Sequence, residues 1–162
     1  MKNEKYISRF LNGIFILIIV LFILDGLTSF EIKNQPIKSF TYFGIIILTP
    51  LTLIWNLWKI KKNKWKIINS TLPILTLIGI LIIGPMKIIF SSDSWKTQKV
   101  LYQNRHLNFK KVEYQTQDVG AFGYNKRTVE ITYLTDLFMI VNPIEVDIDK
   151  RVEWIKISEE SN

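Results

Sequence analysis

Three long uncharged apolar runs in the first ninety residues constrain this chain more than any motif in it. Phe10 to Leu24 is 15 residues without a charge, Ser39 to Trp58 is 20, and Ile67 to Met86 is again 20. About 20 apolar residues at roughly 1.5 Å rise each cross a hydrocarbon core of about 30 Å. A helix buried inside a soluble protein of 162 residues would seldom run so far without a polar face. The pattern predicts an α-helical integral membrane protein with three transmembrane helices, at about 10–30, 39–58 and 67–89, forming a membrane domain over 1–90. The first run also fits the apolar part of a signal peptide behind Lys2, Lys5 and Arg9. DGLTSF offers no small-x-small cleavage pattern, so the segment reads as a retained span.

The net charge of +7 divides unevenly. Residues 1–90 hold 11 Lys+Arg and 3 Asp+Glu (+8), whereas 91–162 hold 10 and 11 (−1). The basicity therefore belongs to the apolar half, where it sets orientation and does not recruit nucleic acid. The N-terminal MKNEKYISR carries three basic residues and the KIKKNKWK loop (Lys59 to Lys66) carries five of eight, whereas Glu31 to Lys38 carries two with one acid. Short basic loops stay cytoplasmic. This predicts a cytoplasmic N-terminus and an outer, periplasmic or extracellular, domain over 91–162 in a bacterial inner membrane. Tyr6, Phe10, Trp55, Trp58 and Trp65 fall at the inner boundary and Phe30, Phe40, Tyr42, Phe43 and Phe90 at the outer one, as aromatic anchors do.

From Ser91 the pattern changes to period two, which predicts a small antiparallel β-sheet domain outside the membrane. Val112, Tyr114 and Thr116 alternate with Glu113, Gln115 and Gln117; Val129, Ile131 and Tyr133 alternate with Thr128, Glu130 and Thr132. Lys99–Asn104, Leu137–Val141, Ile144–Ile148 and Val152–Ile157 are further candidate strands. At 72 residues the domain lies near the lower limit for folding alone.

Few residues suggest chemistry. With no Cys, disulfides, thiolate metal sites and cysteine nucleophiles are excluded. No HExxH, GxSxG, Walker or zinc spacing occurs, and His106 is the only histidine, read as part of a polar turn. Glu145, Asp147 and Asp149 alternate and read as a solvated strand face sooner than a weak cation site. No catalytic residue, metal or cofactor is expected. Asp25, two-thirds along the first span, reads as a hydrated carboxylate near the outer interface, facing Lys87 at the outer end of the third span, sooner than as a contact or ion-path residue within the membrane. Pro50, Pro73 and Gly84-Pro85 interrupt the second and third spans.

The stretch QDVGAFGYNKR (Gln117 to Arg127) lacks the GxxxxGK[ST] of a phosphate loop and is flanked by alternating segments on both sides. Gly120 and Gly123 therefore read as positive-φ positions of a hairpin whose tip presents Val119, Phe122, Tyr124, Lys126 and Arg127. Aromatics beside Arg are the usual composition of a binding hot spot. In span count the architecture resembles small bacterial inner-membrane proteins, including immunity proteins against membrane-acting toxins. The expected function is non-enzymatic: binding an envelope protein through the outer domain or the helices, either a toxin to be neutralised or a membrane complex to be assembled. A homo-oligomer is compatible with this, and membrane lipid is the other expected partner. The alternative is a small transporter or channel subunit using Asp25.

Overall fold

The structure is a computed structural model that describes residues 2–120, 123–144 and 152–157, with side chains from Tyr6 onward. In chain order the elements are α1 (Lys2–Leu27), β1 (Phe30–Ile32), α2 (Gln35–Lys59), α3 (Asn63–Ile83), α4 (Pro85–Phe90), β2 (Lys96–Asn104), β3 (Lys110–Asp118), β4 (Tyr124–Tyr133), β5 (Phe138–Pro143) and β6 (Trp154–Lys156). Helices α1, α2 and α3 are long and apolar enough to cross a membrane. The strands form one antiparallel sheet in the order β1-β5-β4-β3-β2-β6.

Several boundaries differ from the sequence pattern, each for a local reason. Helix α1 stops at Leu27, where the Thr28 hydroxyl donates to the Leu24 carbonyl and accepts the Phe30 N–H, turning the chain outward. Phe30 to Ile32 can then pair with Ile140 to Phe138 of β5, a strand that the apolar pattern had merged into the helix and its loop. The third span begins earlier, at Asn63, and breaks at Gly84, whose φ of 93° no helix can carry. Pro85, lacking an N–H, starts α4 from that break. Pro50 and Pro73 lie within the continuous helices α2 and α3. Of the candidate strand Ile144–Ile148, residues 145–148 lie outside the described residues.

By contact the chain divides into two compact units, one of 1–23 and 39–92, the other of 24–38 and 93–162. In the first, Ile18, Tyr42, Ile45, Ile80 and Ile88 form the core, with the Phe22 and Tyr42 rings edge to face at 5.1 Å. Gly44 allows close approach: a Cβ there would stand 2.8 Å from Ile18 Cδ1. The Asn12 and Asn56 amides exchange reciprocal hydrogen bonds (3.2 and 3.1 Å), and Asn56 Nδ2 also donates to the Asn69 carbonyl at 2.8 Å. One amide pair thus ties α1, α2 and α3 together.

The distribution of polarity on α2 is inverted relative to a soluble helix. Its buried positions follow helical spacing and are mostly polar: Thr41, Thr49, Thr52 and Asn56, interleaved with Tyr42 and Ile45. Its exposed large hydrophobic side chains are Phe40, Phe43, Ile47, Leu51, Ile54, Leu57 and Trp58. Helix α3 also exposes large apolar side chains, Ile67, Leu75, Ile78, Leu81 and Ile82, and buries Ser70 together with Pro73 and Ile80. Water would make this arrangement unfavourable on both faces.

Candidate functional site

The second unit places its most concentrated polar chemistry on one face of the sheet. Register decides which residues share that face. Glu113 lies opposite Val129, Gln115 opposite Arg127, and Lys111 opposite Ile131, so the polar row of β3 lies beside the Val129–Ile131–Tyr133 row of β4. Tyr133 is in turn opposite Met139, and Met139 opposite Glu31. The alternation within each strand is as the sequence reads; the depth of the polar row is not, since Glu113, Gln115 and Gln117 are all buried.

These side chains form a continuous hydrogen-bonded series. The Arg127 guanidinium donates to both Glu31 carboxylate oxygens, Nη1 to Oε1 at 2.6 Å and Nη2 to Oε2 at 2.7 Å. Its Nε and Nη2 also donate to Gln115 Oε1, and its Cζ lies 4.0 Å from the centroid of the Trp95 ring. Gln115 Nε2 donates to Glu113, which also accepts the Thr97 hydroxyl and the Tyr133 hydroxyl. Burial, with the Glu113 carboxylate alongside, pushes the Tyr133 phenol up to about 12 against a lowering hydrogen bond from Thr97. Gln117 Nε2 extends the series to the Asp93 carbonyl at 2.7 Å.

A second buried charge pair links the last turn of α1 to the first turn of α2. Asp25 Oδ1 accepts the Ile32 N–H at 2.6 Å, and Oδ2 lies 3.4 Å from Lys38 Nζ, with both side chains almost fully buried (1% and 4% exposed). The cation that meets Asp25 is therefore Lys38, in the first turn of α2; the expected Lys87 lies on α4 and is solvent-exposed. Asp25 continues the inward stripe of Phe15, Ile18 and Phe22 on α1, a 3-4-3 spacing that explains its burial.

At the hairpin between β3 and β4, Gly120 and Gly123 adopt φ of 65° and 91°, and the Asp118 carboxylate accepts the Gly120 N–H at 2.8 Å. Tyr124 stands 65% exposed next to exposed Lys126, while Val119 is half-buried. Phe122 lies outside the described residues. The structure thus keeps Tyr124 and Lys126 together at the tip and directs Arg127 to Glu31 and Trp95. His106 is exposed in a turn, where its N–H donates to Asn104 Oδ1. Glu145, Asp147 and Asp149 lie outside the described residues, and no group of three or more Asp, Glu or His converges among those described. The sequence pattern gave no reason to single out Glu31, Trp95, Glu113 or Tyr133. The run of polar residues at alternate positions from Lys111 to Gln117 reads as an ordinary solvent-facing strand row, so the sequence carried no signal of its burial.

No protein-family model, curated protein or solved structure matches this chain.

Proposed function

We propose that this chain is an integral protein of a bacterial cytoplasmic membrane, with three spans, a cytoplasmic N-terminus and an outer β domain that binds another envelope protein without catalysis. The partner is a toxin to be neutralised or a complex to be assembled. The observation that carries the membrane reading is the inverted polarity of α2, with Thr41, Thr49, Thr52 and Asn56 inside and Phe43, Ile47, Leu51 and Ile54 outside. Lipid favours such a helix, because hydrocarbon solvates its outer face while the inner polar groups are kept from it, Asn56 bonding to Asn12 and to the Asn69 carbonyl and the Thr49 hydroxyl to the Ile45 carbonyl of its own helix. Orientation rests on the basic KIKKNKWK loop. The binding surface is the exposed hairpin tip, where Tyr124 and Lys126 stand free of the polar series that holds Arg127.

The chain has no cysteine, so single introduced cysteines test the placement directly. Asn63→Cys should react with an impermeant thiol reagent only after permeabilisation, and Asn108→Cys in intact cells; the reverse pattern overturns the orientation. For binding, Tyr124→Ala and Phe122→Ala should each reduce recovery of a co-purifying partner at unchanged membrane levels. Full recovery in both removes the tip from the interface.

A transport reading draws on the buried Thr stripe of α2 and on the Thr52 and Ser70 hydroxyls, which have no hydrogen-bond partner among the described residues. Against it, both carboxylate oxygens of Asp25 are engaged by Ile32 and Lys38. An Asp25→Asn variant that stays in the membrane yet loses ion or solute flux would reverse that preference.

A further inference from the structure

A groove of about 560 Å³ opens on the sheet unit between Lys33, Lys111, Tyr133, Leu134, Thr135 and Asp136. Its geometry is fixed by backbone: the Lys33 and Asn34 N–H groups both donate to the Leu137 carbonyl, stitching the segment before α2 to the β4–β5 turn. Lys33 Nζ stands 4.4 Å from the centroid of the Tyr133 ring, which forms one wall. Lys38, Lys110 and Arg127 each meet a carboxylate, at Asp25, Glu130 and Glu31. Among the described residues, Lys33 and Lys111 have none at ion-pair distance. The Thr135 oxygen accepts the N–H groups of Leu137 and Phe138, which leaves its hydroxyl proton to donate elsewhere. The groove therefore offers two ammonium groups and a hydroxyl donor against one carboxylate, Asp136, a balance of +1.

Two further observations select the kind of anion. Lys33 precedes Gln35, the first residue of α2, by two positions, so its Cα lies within about 7 Å of the start of that helix. A span that begins there puts Lys33 at the level of lipid headgroups. Beside it the β4–β5 turn exposes Leu134 (50%) and Leu137 (39%) on either side of Asp136. Exposed aliphatic side chains flanking a cationic groove suit an interface with polar headgroups and acyl chains, whereas a free inorganic anion gains nothing from them.

We propose that this groove binds the phosphodiester headgroup of an anionic phospholipid, with Lys33, Lys111 and Thr135 on the phosphate and Leu134 and Leu137 against the acyl chains. The inference rests on the membrane placement above. Titration of the purified full chain in neutral detergent with phosphatidylglycerol, phosphatidylcholine and inorganic phosphate reads the groove itself, and thiol labelling reads the placement separately. Phosphatidylglycerol should bind at least tenfold tighter than phosphatidylcholine. Lys33→Gln combined with Lys111→Gln should weaken phosphatidylglycerol binding by roughly twentyfold. Lys33→Arg with Lys111→Arg should retain it, and Asp136→Asn should strengthen it. Equal binding of the two lipids, or an unchanged affinity in the double Gln variant, overturns the proposal. So does inorganic phosphate binding as tightly as the lipid with no effect of Leu134→Ser and Leu137→Ser, since the source would then be a soluble anion.

Discussion

Arg127 and Glu31, 96 positions apart in sequence, meet in a two-point ion pair at 2.6 and 2.7 Å that joins the central strand β4 to the segment between α1 and α2. The fork of the guanidinium matches the carboxylate in a way an ammonium cannot. The same side chain orients Gln115 and covers Trp95, so its loss would strand several partners at once.

Arg127→Leu should therefore destabilise the protein by about 3 kcal/mol, the lower end of the cost of breaking a buried pair, since both side chains keep some solvent contact. Arg127→Lys should fall between the two, because charge survives and the fork does not. Thermal unfolding in detergent measures both; Arg127→Leu melting with the parent would show that the pair contributes little.

Asp25 and Lys38 are buried more deeply and make a sharper test. Asp25→Leu removes the carboxylate that meets the buried Lys38 ammonium and should cost about 3–5 kcal/mol. Asp25→Leu with Lys38→Met removes both charges and should recover most of that, short of about 1–2 kcal/mol for the orphaned Ile32 N–H. A double variant no more stable than Asp25→Leu would contradict this pairing.

Asn56→Leu removes the amide pair with Asn12 and the bond to the Asn69 carbonyl. Interhelical hydrogen bonds in an apolar setting contribute about 0.6–2 kcal/mol, so the expected loss is modest. It should appear as faster helix dissociation or a lower melting temperature without a change in the sheet. A variant that unfolds outright would mean the amide pair matters far more than such bonds usually do.

Tyr133 should titrate well above an ordinary tyrosine. Its folded pKa is raised to about 12 from 10, so the folded state holds its proton more tightly than the unfolded state. The associated stabilisation is complete below pH 10 and is lost as pH rises from 10 to 12. Ultraviolet titration of phenolate should show a late component that Tyr133→Phe removes. Glu113→Gln should move that component down, because it removes the neighbouring carboxylate and leaves burial in place.

Much of the fold was legible because it is written in local pattern. The uncharged runs determined three long apolar helices, and the period-two alternation determined strands at 112–117 and 128–133, since spacing along one element needs no partner to be read. Gly120 and Gly123 were legible as positive-φ turn residues for the same reason. What the sequence could not supply was which faces meet. β1 exists only because β5 offers it an edge, and three residues alone carry no strand signal. Register alone sets the buried row of Glu113, Gln115 and Gln117 beside Val129 and Ile131, and brings Arg127 to Glu31 instead of into the exposed tip. Lys38 took Asp25 because two consecutive helix ends fold back on each other, a proximity that chain separation hides. Hydrophobic pattern is a property of each segment, so the sequence by itself determined the elements. Hydrogen-bond and ion-pair partners are a property of pairs of segments, so only the tertiary structure decided what Asp25, Glu31 and Arg127 do.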